Sequence, residues 1–157
     1  MNLVRLTESI KAAEGYRKLP YVDSLGYWTT GFGHLCHNDL LQHAGVLTFG
    51  ELMAFYSDGE RHLRWLEADI KEAIYRAKQW LGDELWNSLD DVRQETLVEM
   101  RFQLGERIRN FTGLKKALEM GDFNGAAHEM LDSLWQRQTP QRVQRLAQHM
   151  EKGTQPT

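Results

Sequence analysis

One uninterrupted apolar stripe in the middle of the chain restricts its fold more than any other feature. Leu63, Leu66, Ile70, Ile74, Ala77 and Leu81 recur at the steps of three and four that mark one face of an α-helix. Ser57 or Asp58 can cap its start and Gly82 can stop it, which predicts a connecting helix over 59–81. At ~1.5 Å per residue such a helix is long enough to bridge two lobes. A chain of 157 residues has room for one core or two small lobes, and not for two large domains.

What flanks the helix differs on its two sides. Leu3, Leu6, Ile10 and Ala13 open the chain with an amphipathic helix, and Gly15 directly after Glu14 is a plausible stop. Leu19 to Phe32 reads as extended structure, with Pro20, the strand formers Tyr27 and Trp28, and turn chemistry at Asp23-Ser24-Leu25-Gly26. After the connecting helix, Ser88 is the expected cap of "LDDVRQETLVEMRFQL", which Gly105 ends. That segment is apolar on more than one face, which places it at the centre of the larger lobe. Helices are expected after Thr112 and Asp122, and a last one from Thr139-Pro140. The predicted fold is α+β, mostly α. One domain, 1–157, divides into a β-containing lobe (13–58), the connecting helix (59–81) and a helical lobe (82–153) on which 1–12 packs. A cleft between lobes is the default place for a ligand.

Composition excludes several classes. No apolar run approaches the ~20 residues that span a bilayer. The first fifteen residues carry spaced charges without an apolar h-region, so no secretory signal and a cytosolic site of synthesis are expected. Cys36 is the only cysteine, which rules out an internal disulfide. The net charge is −3, against what a nucleic-acid binder needs. Residues 1–60 hold 4 Lys/Arg and 7 Asp/Glu, while 61–157 hold 15 of each. No heptad seam demands a partner, so a monomer is expected.

The chemistry concentrates in "EGYRKLPYVDSLGYWTTGFGH", Glu14 to His34. A carboxyl at the C-terminal end of a helix faces the negative end of the macrodipole, which favours the protonated form a general acid requires. Asp23, in a polar turn beside Ser24, is expected to stay ionised, and Thr29 can hold a water against it. Two carboxyls with diverging environments are the pattern of glycoside hydrolysis. A helix-end Glu and a turn Asp are also ordinary surface features. The residues alone leave both readings open.

The spacing E-x8-D-x5-T, followed by "GFGHL", resembles the active-site segment of the phage-type lysozymes, glycoside hydrolase family 24. "SLDDVR…FQLGE", "NFTGL" and "SLWQRQTPQRV" match further blocks of that family, in order and at similar separations. The resemblance covers roughly 3–35 and 60–150, whereas 36–58 aligns poorly. It implies a two-lobed lysozyme-like fold and an endolysin, a muramidase hydrolysing the β-1,4 bond between N-acetylmuramic acid and N-acetylglucosamine for host lysis. By carry-over, Glu14 donates the proton and Asp23 and Thr29 handle the water, with inversion. Leu35, Phe102 and Gln103 match positions lining the sugar cleft, and Arg142 matches an arginine paired with the catalytic glutamate. These four form the expected substrate-binding set. The family habit further implies accumulation in the host bacterial cytoplasm and access to the wall through a holin-type membrane lesion. Glu99, Arg101, Leu114, Glu129 and Leu134 depart from the family's usual residues, which bears on sugar subsites.

Other signals are weaker. "HLCHND" gathers His34, Cys36, His37 and Asp39 at a spacing unlike structural zinc sites, so no metal is expected. His34 is expected to pair with Asp69. "GFGH" lacks the strand-to-helix context of a dinucleotide fold, and no cofactor is expected. Trp135 is assigned to the core. The competing functions are a lytic transglycosylase of the same fold, a non-catalytic cell-wall-binding module, and a nucleic-acid binder using Arg137, Arg142 and Arg145.

Overall fold

The computed structural model describes residues 1–36 and 46–154. The chain divides into two units, one of residues 7–71 and the other of 1–6 with 72–157. The element order is α1 (Leu3–Glu14), β1 (Arg17–Val22), β2 (Trp28–Gly31), β3 (His34–Leu35), α2 (Phe49–Tyr56) and α3 (Gly59–Leu81), followed by α4 (Asp83–Ser88) and α5 (Asp91–Leu104). A 3₁₀ segment (Gly105–Asn110) then leads to α6 (Thr112–Glu119), α7 (Phe123–Leu131), α8 (Leu134–Gln138) and α9 (Pro140–Lys152). This is the α+β, mostly helical, lysozyme-like class expected from the sequence.

In the 7–71 unit an antiparallel sheet runs in the order β1-β2-β3. Tyr21 faces Thr29 and Val22 faces Trp28, and the pairing is irregular between Arg17 and Tyr21. Pro20 lies in that irregular stretch of the edge strand, where a missing N–H leaves no ladder bond unmade. The helix that follows starts where its polar residues can satisfy the first turn. Asp58 Oδ1 accepts from the Glu60 and Arg61 N–H groups at 2.9 and 3.2 Å, so Asp58, and not Ser57, is the cap of α3. The stripe is narrower than its sequence pattern, because Leu66 and Ile70 are buried while Leu63 is 53% exposed. His34 stacks on Trp65 at 4.5 Å and its Nδ1 lies 2.7 Å from Asp69 Oδ2, the pair expected from the sequence. His37 and Asp39 lie outside the described residues.

In the other unit α5 carries the core. Leu97, Val98 and Met100 have no exposure, and Leu114, Ala126, Met130, Val143, Leu146 and Met150 are buried with them. Ser88 is not the cap of this helix. It ends α4, with its hydroxyl donating to the Leu85 carbonyl, and Asp90 caps α5 by accepting from the Val92 and Arg93 N–H groups. The two residues between Ser88 and the start of α5 form the break that separates the two helices. Glu95 is buried on the same helix and takes the Arg5 guanidinium at two bonds of 2.8 Å. Leu3, placed in the apolar stripe of α1, is exposed, whereas Leu6 and Ile10 are buried.

Candidate active site

Glu14 is the last residue of α1, because Gly15 adopts φ +69° and closes the helix with its N–H donating to the Lys11 carbonyl at 3.0 Å. The carboxyl lies over the backbone of Gly33. A Cβ built there would sit 3.0 Å from Glu14 Oε2, and Gly33 holds φ +72°. Close approach and backbone conformation both require glycine. The second glycine of "GFGH" is therefore part of the seat of Glu14.

Asp23 organises its own turn. Its Oδ1 accepts from the Leu25 and Tyr27 N–H groups, each at 2.9 Å, and its own N–H donates to the Tyr27 carbonyl at 2.8 Å. The carboxylate is thus fixed by local backbone before any ligand arrives, with both of these bonds on one oxygen. Thr29 occupies the middle of β2, 4% exposed, opposite Tyr21 on β1 and Leu35 on β3. Its hydroxyl donates to the Tyr27 carbonyl at 3.2 Å, which leaves the oxygen's lone pairs to accept.

Tyr21 connects these groups and was not singled out from the sequence. Burial raises its phenol above the usual value, the Arg17 guanidinium 4.4 Å over its ring opposes this, and the carboxyls of Glu14 and Asp23 raise it further. Both carboxyls therefore lie within electrostatic reach of one tyrosine that faces Thr29. Leu35 belongs to this unit too and is 53% exposed.

Phe102, Gln103 and Arg142 belong to the other unit. Gln103 is locked at both ends of its amide. Its Oε1 accepts from the Trp135 indole at 2.8 Å, and its Nε2 donates to Thr139 Oγ1 at 3.4 Å. Trp135 is buried, as expected, with Phe111 edge-on at 6.1 Å. Arg142 lies 3.8 Å from Glu99 Oε2, and Arg145 reaches the same carboxylate at 2.9 Å. This accounts for a glutamate with only 3% exposure in the middle of α5. Of the other departures from the family pattern, Arg101 pairs with Glu106 at 3.0 Å and Leu114 is buried. Glu129 packs on Gly113, and Leu134 is exposed.

Residues 11–152 match the family described as Phage lysozyme. The chain belongs to the phage lysozyme family. The family makes it a lysozyme-like cell-wall hydrolase, a glycosidase-type enzyme whose substrate is peptidoglycan. Among its relatives, "Probable T4-type lysozyme 1" of Dictyostelium discoideum is 26% identical over 161 residues, covering 95% of both chains. "Endolysin" of Acyrthosiphon pisum secondary endosymbiont phage 1 is 27% identical over 122 residues, 78% of this chain and 72% of that one. "Pre-baseplate central spike protein Gp5" of Enterobacteria phage T4 is 29% identical over 90% of this chain, but the match takes in only 26% of the longer protein. Among the described residues no helix is long and apolar enough to cross a membrane.

Proposed function

We propose that the chain is an endolysin-type muramidase that hydrolyses the β-1,4 bond between N-acetylmuramic acid and N-acetylglucosamine. Glu14 protonates the glycosidic oxygen, and Asp23 with Thr29 orients the water and steadies the developing positive charge. Leu35, Phe102, Gln103 and Arg142 contact the glycan or support its site. The observation that carries the reading is the seating of two carboxyls by different means within reach of Tyr21. One lies at a helix end over the bare backbone of Gly33, and the other is held by two N–H groups of its own turn. The protein works as a monomer, without metal, cofactor or nucleic acid. It is made in the host bacterial cytoplasm and reaches the wall after a holin-type lesion opens the membrane.

Digestion of Gram-negative peptidoglycan by the wild type and by Glu14→Gln, with mass spectrometry of the fragments, tests this. Hydrated reducing ends from the wild type and at least a hundredfold loss in the variant are expected. Anhydro ends would establish a lytic transglycosylase in its place. Binding of the wall without release of fragments by either protein would leave a non-catalytic wall-binding module.

A further inference from the structure

The 7–71 unit buries a polar network that the proposed chemistry does not use. His62 is 1% exposed, yet both ring nitrogens are engaged. Its Nε2 lies 2.7 Å from the Tyr56 carbonyl, which can only accept, so that nitrogen carries the proton. In the neutral ring Nδ1 then presents a lone pair, and the Tyr16 hydroxyl donates to it at 2.8 Å. Thr30 Oγ1 donates to the same Tyr56 carbonyl at 2.6 Å and sits 3.1 Å from Nε2. Burying an imidazole carries a desolvation cost that an aliphatic side chain would avoid. The arrangement is explained by what it joins.

Two left-handed glycines bracket Phe32. A Cβ at Gly31 would lie 2.7 Å from His62 Cγ, and one at Gly33 would lie 3.0 Å from Glu14 Oε2. Phe32 between them packs on Tyr16 with ring centroids 4.7 Å apart. Tyr16 in turn stands two residues after Glu14, beyond the helix-breaking Gly15. The His62 ring, the Tyr16 hydroxyl and the Gly31–Gly33 backbone thus close a loop that ends at the Glu14 carboxyl.

We propose that Tyr16 and His62 form a hydrogen-bonded tether that positions Glu14 against the strand carrying Thr29. They are positioning residues for the hydrolysis, and the proposal rests on Glu14 being its general acid. The tether acts on the placement of the acid, so its loss lowers turnover more than affinity. An error of about 1 Å in a reacting group costs on the order of 10²-fold in rate. Removing one of several constraints is therefore expected to lower kcat about tenfold.

Substitutions separate the two ends of the ring. Tyr16→Phe deletes the donor and keeps the ring on Phe32. His62→Gln keeps an N–H near the Tyr56 carbonyl and loses the acceptor for Tyr16, whereas His62→Asn keeps an acceptor at the Nδ1 position. With solubilised peptidoglycan fragments and reducing-end release as the readout, Tyr16→Phe and His62→Gln should each lose about tenfold in kcat with KM within twofold of wild type. His62→Asn should recover most of that loss, and melting temperatures of all three establish that they fold. Folded Tyr16→Phe and His62→Gln variants with unchanged kcat, while Glu14→Gln is inactive, would overturn the tether alone. So would loss that tracks melting temperature equally in all three variants. Equal rates for wild type and Glu14→Gln would overturn the assignment of the acid, and the tether with it.

Discussion

Asp90 closes the 72–157 unit at its last residues, and removing it should be among the more damaging changes away from the candidate site. Its Oδ1 accepts from the Val92 and Arg93 N–H groups at the start of α5, and from the Thr154 N–H and hydroxyl at 3.0 Å each. Its Oδ2 pairs with the Arg93 guanidinium, which also donates to the Met150 and Glu151 carbonyls at 2.7 and 2.8 Å and stacks on Phe123. One carboxylate therefore caps one helix while orienting the arginine that caps the end of another. Losing an Asp cap costs ~1 kcal/mol. The Arg93 bond is a charge-assisted pair that is a quarter exposed on the Asp side, which reduces its worth to ~1 kcal/mol. The tie to Thr154 adds ~0.5 kcal/mol at a chain end. Asp90→Ala is then expected to cost ~2.5 kcal/mol and to lower the melting temperature by about 5–10 °C. Asp90→Asn retains a capping oxygen and should lose about half of that. The pH dependence follows from the sign of the linkage. Burial works against the Asp90 charge, but the Arg93 and Thr154 bonds outweigh it and hold the group below its ordinary 3.8. A depressed acid contributes stability that is present above its unfolded pKa and lost as pH falls through the folded one. The gap between wild type and Asp90→Ala, followed by circular dichroism melts, should be full at pH 7 and shrink below pH 3.8. An Asp90→Ala melt within 2 °C of wild type, or a gap undiminished at low pH, would refute the reasoning.

Two further changes report on other parts of the fold. Burial, reinforced by Arg145 and Arg5 against the pull of Glu99 and Glu95, holds His149 below its ordinary 6.5. The unfolded chain therefore takes up the proton first, and stability falls with acid from pH 6.5 downward. His149→Gln should flatten the melting temperature profile below pH 6.5, and an unchanged slope would assign it to another group. Gly31→Ala and Gly26→Ala both put a side chain at positive φ, +61° and +85°, but only the first meets another atom, at His62. Urea unfolding should give about 1–2 kcal/mol for Gly26→Ala and about 3 kcal/mol for Gly31→Ala. Equal costs would mean that the His62 ring does not press on the strand.

Local chemistry made much of the architecture legible. Gly15 and Gly82 stop α1 and α3 where their lack of a Cβ permits a left-handed residue, and Asp23 builds a turn that its own side chain completes. Ser88 misled because Ser, Leu and Asp in a row offer two caps, and the choice between them depends on tertiary partners. Asp90 is selected by Thr154, sixty-four residues away, which no local pattern records. Leu3 and Leu63 misled for a related reason, since periodicity marks a face but not where the packed surface ends. Within the candidate site the expectation for Glu14, Asp23 and Thr29 came from the resemblance of their spacing to a family segment. Tyr21 was not part of it, because its importance comes from strand register. Tyr16, Thr30 and His62 lie up to 46 residues apart, and a lone histidine on a helix gives no sign of what it will touch.

The two units settle their buried polar groups in different ways, and the difference bears on the proposed chemistry. In the 72–157 unit with residues 1–6, Glu95 and Glu99 are buried as carboxylates and neutralised by Arg5 and Arg145. Breaking one such pair would strand a charge, at a cost of several kcal/mol. In the 7–71 unit the buried His62, Thr30 and Tyr56 carbonyl, with the exposed Tyr16 at their edge, are joined by hydrogen bonds and not by ion pairs. A general acid must be held firmly in place, and the tether proposed through Tyr16 and His62 would meet that demand with hydrogen bonds and not with an ion pair.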